Sequence, residues 1–214
     1  MKKLENIIIV FSFLLFLIIT PALIISLNQQ NLSKQMQNAN VYSTINETQA
    51  NILLENVLNF LNNKEELSIQ FTENEREHMQ DVKTTFNLLK WINLFAFILI
   101  LCYSSDALLK KKTKKLLEIV KLSSMLVLII SLIKIIFLIT LFQEIFTIFH
   151  LIFFPQGNWM FPANSLLITL FPQTFFVTVA IQMFLFIIGV SLVILGVCLI
   201  FETKKNTKNK KYTK

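Results

Sequence analysis

The chain contains only two histidines, His78 and His150, and they are its best candidates for proton transfer near neutral pH. Asp81 follows His78 by three residues, so on a helix both side chains would lie on one face. A carboxylate there can accept a ring N–H and fix the tautomer of a general base. His150 lies in the uncharged run Phe149–Phe154, where we expect a desolvated, neutral ring. A surface His–Asp pair and a histidine at a helix end are the non-catalytic alternatives.

Residues that would supply an enzyme nucleophile are poorly placed. The Gly-x-Ser-x-Gly signature is absent, and the serines outside the apolar runs have no neighbouring base. Cys102 and Cys198 lie inside apolar runs and form no Cys-x-x-Cys motif. We therefore expect any acyl transfer to use a nucleophile of the substrate. A metal ion held by His78, Asp81 and His150 is an alternative, although the His-Glu-x-x-His zinc signature does not occur.

The composition indicates that these residues belong to a multi-span membrane protein. Of the 214 residues, 54% are hydrophobic and 15% are charged, and the mean hydropathy is +0.62. This balance excludes an ordinary soluble domain, a disordered chain and a disulfide-rich scaffold. A helix of about 20 apolar residues crosses the hydrocarbon core of a bilayer. Four spans are predicted, over residues 7–27, 88–109, 116–146 and 174–201.

The lysines predict the orientation of these spans. They cluster in residues 1–6, 110–115 and 202–214, and with four spans all three segments fall on one side. That side is cytoplasmic by the positive-inside rule. The same rule explains the net charge of +7, and because Arg76 is the only arginine we expect no nucleic-acid partner.

Residues 28–87, which we call the cap, are predicted to lie outside the cell. They contain eight acidic and four basic residues, the opposite balance to the cytoplasmic segments. The capping-box spacing at Thr44–Glu47 predicts an amphipathic helix of about five turns. Its apolar stripe would consist of Ile45, Ile52, Leu53, Val57, Phe60 and Leu61. Leu67–Phe71 alternates with period two and fits a short strand. A second capping box at Thr72–Glu75 predicts a helix that continues into the second span.

The second predicted outer segment, residues 147–173, is uncharged and aromatic. No Asp, Glu, Lys or Arg occurs from Ile145 to Phe201, and nine phenylalanines and Trp159 fall between Phe142 and Phe176. Backbone groups inside hydrocarbon need protein partners, so we predict an interfacial or re-entrant element. Its aromatic residues would form either a pocket wall for acyl chains or an ordinary interfacial belt.

These patterns together predict an all-α membrane protein. It would have four transmembrane helices and a small, mainly helical extracellular cap with room for one short strand. Both termini would be cytoplasmic, and the two histidines would meet at the outer face of the plasma membrane, where the cap joins the membrane. No cofactor is predicted, and the sequence carries no signal for the oligomeric state.

The residues around the two histidines form two motifs. The first, before the second span, is Glu75-x-x-His78-x-x-Asp81-Val82. The second, before the fourth span, is Phe149-His150-x-x-Phe153-Phe154-x-x-Gly157-Asn158-Trp159-x-x-Pro162. With the four-span pattern, they resemble the lipoprotein intramolecular transacylase family Lit, which occurs mainly in low-GC Gram-positive bacteria. In the second motif, family members often carry further polar or acidic residues, whereas this chain has Leu151 after His150 and Asn164 after Pro162.

The resemblance implies an active site in an aromatic chamber at the cap–membrane interface, with His78 and His150 as its catalytic histidines. It implies transfer of an acyl chain from the sn-2 glyceryl ester of a diacylated lipoprotein to the amine of the lipoprotein's N-terminal cysteine, which gives the lyso form. The partners would be that lipoprotein and membrane lipids. The predicted substrate contacts are Phe149, Phe153, Phe154, Asn158 and Trp159.

Two other functions fit the same sequence. A metal-assisted membrane hydrolase would use the same residues and would depend on a bound metal ion. A non-enzymatic tetraspan sensor or scaffold would bind a partner through its acidic cap, and the two histidines would then have no chemical role.

Overall fold

The chain is almost entirely helical. A computed structural model describes the backbone of residues 2–212 and the side chains of residues 3–203. The α-helices are α1 (Lys2–Ser26), α2 (Gln29–Asn38), α3 (Glu47–Leu61), α4 (Glu73–Leu109), α5 (Thr113–Thr140), α6 (Phe142–Phe153), α7 (Leu166–Leu170) and α8 (Gln173–Tyr212), with a short 3-10 helix over Val41–Ser43. No β-strand occurs in residues 2–212, so the all-α class is confirmed.

Four helices of the described chain, α1, α4, α5 and α8, are long and apolar enough to cross a membrane. The shortest, α1, has 25 residues. At 1.5 Å per residue this length exceeds a hydrocarbon core of about 30 Å. The predicted four-helix membrane architecture is therefore confirmed. Lys2 and the lysines of the predicted tail, from Lys204 onward, lie outside the described side chains.

A helix break lies inside the third predicted span, residues 116–146. Helix α5 ends at Thr140, and Leu141 leaves the helical region with φ −133 and ψ 36. The Thr140 hydroxyl donates a 2.9 Å hydrogen bond to the Ile136 carbonyl, a local bond that often bends helices. His150 consequently lies in the last turn of a separate short helix, α6.

The chain divides into two compact units. The first comprises Met1–Pro21, Trp91–Lys134 and Phe184–Lys214. Inside it, the Phe16 and Phe97 rings stack with centroids 5.5 Å apart. The Lys121 ammonium pairs with the Glu202 carboxylate at 2.8 Å. These contacts join α1 to α4 and α5 to α8 within this unit.

The second unit comprises Ala22–Lys90 and Ile135–Met183 and contains the cap, α6, α7 and both histidines. Its hydrophobic core is built on one face of α3. The buried residues of that face are Ala50, Leu53, Leu54, Val57, Leu58, Phe60 and Leu61. Leu167, Leu170 and Phe175 belong to the same core. The cap is therefore packed against α7 and the start of α8.

Helix α3 differs from its prediction at three points. It has 15 residues, about four turns rather than five. Its N-cap is Asn46, whose side chain accepts from the Thr48 backbone N–H at 3.0 Å, whereas the Thr44 hydroxyl bonds to Val41. The predicted box at Thr44 is therefore wrong. Ile52 is 61% exposed, so it is not part of the face of α3 that packs into the cap.

The short strand predicted at Leu67–Phe71 is a turn. The Asn56 side chain accepts from the Ser68 backbone N–H at 2.8 Å, and Phe71 N–H donates to the Ser68 carbonyl at 3.2 Å. Phe71 is buried in the core, while Ile69 is 88% exposed. Side-chain and turn bonds satisfy the backbone groups that a strand would have paired with a neighbour.

Candidate active site

The first turn of α4 positions His78. Thr72 N–H and the Thr72 hydroxyl donate to the Glu75 carboxylate at 2.8 and 2.9 Å, and Glu75 N–H points back to the Thr72 hydroxyl at 3.4 Å. The capping box predicted here is confirmed. The other Glu75 oxygen accepts from the Leu167 backbone N–H at 2.7 Å. This fully buried carboxylate therefore joins the N-terminus of α4 to that of α7.

His78 is enclosed by aromatic rings one turn after Glu75. It is 6% exposed, and its ring lies 4.8 Å from the Phe154 ring and 5.6 Å from the Phe161 ring, both edge-on. Among the described residues, its buried Nδ1 has no hydrogen-bond partner. The ring thus sits in an apolar enclosure with one polar atom unsatisfied.

His150 is held by its own helix. It is 8% exposed, and its Nδ1 lies 2.7 Å from the Phe146 carbonyl one turn earlier. Because a carbonyl only accepts, Nδ1 must carry the proton of the neutral ring, and Nε2 is left with the lone pair. The Phe146 and Trp159 rings flank it at 4.1 and 4.7 Å.

The two histidines, 72 positions apart in the sequence, lie close together. Their ring centroids are 6.2 Å apart and the ring planes differ by 23°. Phe154 contacts both rings, since it also lies 5.6 Å from His150. This is the juxtaposition that the sequence predicts, inside a wall of aromatic side chains.

Asp81 does not bond to His78 in the described structure. Its Oδ2 accepts from the Gln156 amide at 2.5 Å and from the Asn158 amide at 2.7 Å. The predicted direct Asp81–His78 hydrogen bond is therefore wrong. The carboxylate lies on the expected side of α4, but it accepts hydrogen bonds from the Gln156 and Asn158 amides, which lie in the connection after α6.

The connection between α6 and α7 presents Asn158 and Trp159. Phe154 N–H closes α6 on the His150 carbonyl at 2.7 Å, and Gly157 follows with φ +79, a value that favours glycine. Asn158 Oδ1 and Trp159 Nε1 are buried without partners among the described residues. Two predicted substrate contacts therefore carry unsatisfied polar atoms.

The remaining predicted contacts differ in how they reach the histidines. Phe149 lies 5.4 Å from the His150 ring, whereas Phe153 contacts Phe149 at 4.7 Å rather than a histidine. Phe149 and Phe153 are both partly exposed, so they can meet another molecule. Sequence reasoning missed Phe146, which fell inside a predicted span, and Phe161, which no motif position marks.

Burial controls the charge of both rings. Both lie outside the predicted spans, since the apolar part of α4 begins only at Leu88. Burial lowers the pKa of His150 below 6.5, against the opposing effect of the Phe146 carbonyl. Burial also lowers the pKa of His78, against the nearby Asn158 side chain and Asp81 carboxylate, while a charge on His150 lowers it further. Both imidazoles are therefore neutral near pH 7 and able to accept a proton.

A metal ion held by several ligands would need donor side chains arranged around it in a matching geometry. Across the described residues, no three or more His, Cys, Asp or Glu side chains are grouped to hold a metal ion. His78, Asp81 and His150 therefore do not converge as the three ligands of the metal alternative.

Comparisons with known proteins agree with this architecture. The sequence profile of the family described as lipoprotein intramolecular transacylase Lit matches residues 7–176. A solved structure of the membrane-integral Lit from Bacillus cereus superposes with a TM-score of 0.85 at 18% identity, covering 97% of this chain and 98% of that one. Two structures of the same protein with one histidine replaced by arginine or alanine each give 0.80 at 18% identity, covering 97% of this chain and 95% and 96% of theirs. At this identity, the structural likeness shows a shared fold.

No curated protein sequence matches the chain. The family profile, in contrast, covers well over half of the residues. The chain therefore belongs to the lipoprotein intramolecular transacylase family Lit, and it is a membrane acyltransferase.

Proposed function

We propose that the protein moves an acyl chain from the sn-2 glyceryl ester of a diacylated lipoprotein to the α-amino group of that lipoprotein's N-terminal cysteine. The product is a lipoprotein with an N-acyl group and a monoacylglyceryl thioether, the lyso form. The observation that carries this proposal is the pair of buried histidines with ring centroids 6.2 Å apart among aromatic side chains, in a chain of this family.

The amine of the substrate supplies the nucleophile. Its nitrogen attacks the ester carbonyl, a C–N bond forms, and the amine loses a proton. The C–O bond to the glyceryl group then breaks, and the departing alkoxide takes up a proton. Because the α-amino group has a pKa of about 7.7–8.0, part of it is the unprotonated nucleophile near neutral pH. A nearby imidazole can accept the proton that the nitrogen loses as the C–N bond forms.

The fixed tautomer of His150 suits it to this transfer. Its Nδ1–H is bonded to the Phe146 carbonyl, so its Nε2 lone pair is free to accept the amine proton. Once protonated at Nε2, the same ring can donate that proton to the alkoxide. His78, with its ring 6.2 Å away, is the second acid–base group that faces the reacting atoms.

The aromatic enclosure supports transfer rather than hydrolysis. The aromatic side chains that contact the two imidazoles are Phe146, Phe149, Phe154, Trp159 and Phe161, none of which supplies a nucleophile. Apolar walls contribute about 0.8 kcal/mol for each acyl CH₂ that they bury. They also exclude water from the intermediate, and a confined substrate gains from fixed orientation of amine and ester.

The orientation of the protein follows from its lysines. We propose that both termini and the loop between α4 and α5 face the cytoplasm, since that loop carries Lys110, Lys111 and Lys112. The cap and the two histidines then face outward from the plasma membrane, where lipoproteins are anchored.

Mass spectrometry of a lipoprotein N-terminus tests the proposal. Cells that produce the chain should make the lyso form, and His78→Ala or His150→Ala should lower it by about 100-fold or more, because general acid–base catalysis contributes about 10²–10⁴-fold. Gln80→Ala on α4 and Ile152→Ala on α6, at exposed neighbours, are matched controls that should retain it. Accumulation of each variant is checked by immunoblot. Normal product from both histidine variants would contradict the proposal.

A further inference from the structure

Two of the unsatisfied polar atoms in the candidate site are complementary. His78 Nδ1 and Asn158 Oδ1 are both buried and have no partner among the described residues. A neutral imidazole carries one N–H donor, and an amide oxygen only accepts. Buried polar groups in folded proteins are nearly always paired, so two unpaired and complementary atoms call for an explanation. The two residues are neighbours in space, because Asn158 bonds to Asp81, which lies one turn after His78 on α4.

Asp81 fixes which way the Asn158 amide faces. A carboxylate only accepts, so the 2.7 Å contact to Asp81 Oδ2 must come from the Asn158 nitrogen. The Asn158 oxygen is therefore turned away from Asp81. Gln156 donates to the same Asp81 oxygen and holds the carboxylate in place.

We propose that Asn158 is a positioning residue for His78. Its Oδ1 accepts the Nδ1–H of His78 and so fixes the neutral tautomer that has its lone pair on Nε2, while Asp81 acts on His78 only through Asn158. The inference rests on the proposed function, because a fixed tautomer matters only if His78 is an acid–base group in the reaction.

Two further observations support the pairing. The Asn158 side chain acts on His78 to raise its pKa, as an acceptor on the ring N–H does. His150 already has the matching arrangement, since the Phe146 carbonyl accepts from its Nδ1. With both bonds made, each imidazole presents Nε2 to the substrate. In the Ser-His-Asp triad of acyl-transfer enzymes, an acceptor on Nδ1–H likewise holds the imidazole base in the required tautomer.

The tautomer of His78 can be read directly by NMR. The full chain with ¹⁵N-labelled histidine is prepared in detergent with His150→Gln, which leaves one imidazole in the long-range ¹H–¹⁵N spectrum. At about pH 8, where the ring is neutral, we expect the Nδ1–H tautomer. Adding Asn158→Ala should give a mixture or the Nε2–H tautomer. A ring that is Nε2–H in the reference protein, or unchanged by Asn158→Ala, would overturn the inference.

Variants of Asp81 test whether Asp81 acts on His78 through Asn158, without changing Asn158 itself. Asp81→Asn keeps an acceptor for the Asn158 nitrogen and should retain the Nδ1–H tautomer. Asp81→Leu has a similar volume but no acceptor, so it should free the amide to turn and populate both tautomers. An Asp81→Leu protein with the reference tautomer would show that Asp81 does not orient Asn158.

Activity separates this inference from the proposed function. With His150 intact, Asn158→Ala should lower lyso-form production by about 10- to 100-fold, the usual range for one buried hydrogen bond. Full production by both His78→Ala and His150→Ala would refute the proposed function itself. Loss of production by His78→Ala with an unchanged tautomer in Asn158→Ala would overturn only the role of Asn158.

Discussion

At the level of single residues, the two imidazoles have the same charge near pH 7 but differ in the groups that hydrogen-bond to them. Both are buried among aromatic rings that disfavour the imidazolium ion. His150 obtains a hydrogen bond from the backbone of its own helix, which exists whenever α6 is formed. His78 depends on side chains of the connection between α6 and α7. We therefore expect substitutions in that connection to affect His78 more than His150.

The pH dependence of the reaction should reflect this burial. A base must be neutral, and burial lowers the pKa of both rings below 6.5, so protonation inactivates the enzyme only at pH values below 6.5. Rates of lyso-form production by purified protein, measured at saturating substrate, should therefore fall on the acid side below pH 6.5. The substrate amine titrates near pH 8 and should give a second, separate change in the pH–rate profile.

A polar substitution at Phe161 provides the matched comparison. Phe161 lies 5.6 Å from the His78 ring, and Phe161→Ser would admit water and bring the pKa of His78 back toward 6.5. The decrease in rate at acid pH should then begin at a higher pH. A decrease that begins at the same pH in both proteins would mean that burial of His78 does not set the profile.

The identities of the two histidines were accessible from the sequence, but their surroundings were not. His78 and His150 stand out because the chain has no other histidine and both precede or follow a predicted span. The partner of Asp81 was missed because Gln156 lies 75 residues away, in the turn that the Gly157 N–H closes on the Phe154 carbonyl. An i,i+3 spacing shows that two side chains share a helix face, but not which one binds a third group.

At the level of elements, the Glu75 carboxylate links the N-terminus of α4, which carries His78, to the N-terminus of α7. Replacing Glu75 by alanine would leave the Leu167 and Thr72 backbone N–H groups without their acceptor. The unsatisfied donors should lower the free energy of unfolding by about 1–3 kcal/mol. Thermal unfolding of detergent-purified protein measures the change. Glu77→Ala, at an exposed carboxylate two residues later, should shift stability by less than about 0.5 kcal/mol. Equal shifts in the two proteins would refute the role of Glu75.

Local sequence signals predicted one helix start correctly, misplaced another and missed a helix break. The box at Thr72–Glu75 formed, and its buried Glu75 has a further acceptor role that no local pattern could show. The box at Thr44 failed because Asn46, two residues later, is a better cap. The break at Leu141 was missed because hydropathy is continuous across it, and only the Thr140 hydroxyl marks the place.

At the level of the whole molecule, sidedness is a prediction that labelling can test. In a chain with Cys102→Ala and Cys198→Ala, single cysteines are placed at Ile69, which is 88% exposed in the cap, and at exposed Lys112 in the basic loop. If the cap lies outside, a membrane-impermeant maleimide should label Ile69→Cys in intact cells and Lys112→Cys only after lysis. The reverse pattern would show the opposite orientation.

The membrane architecture was the part most accessible to prediction. Four long apolar runs require helices in a bilayer, since no water there can satisfy a free backbone, and four such helices are present in the described residues. The packing of the cap was less accessible, because Ile52 and Leu54 are equally apolar and only tertiary contacts decide that Leu54 is buried and Ile52 exposed.

The bond between His150 and the Phe146 carbonyl has an evolutionary consequence. Its acceptor belongs to the main chain, so no side-chain replacement at position 146 deletes it while the helical turn survives. Evolutionary substitutions of the neighbouring aromatic residues can therefore change the shape of the acyl-chain pocket for different fatty acids. They would leave His150 in the tautomer that accepts a proton at Nε2.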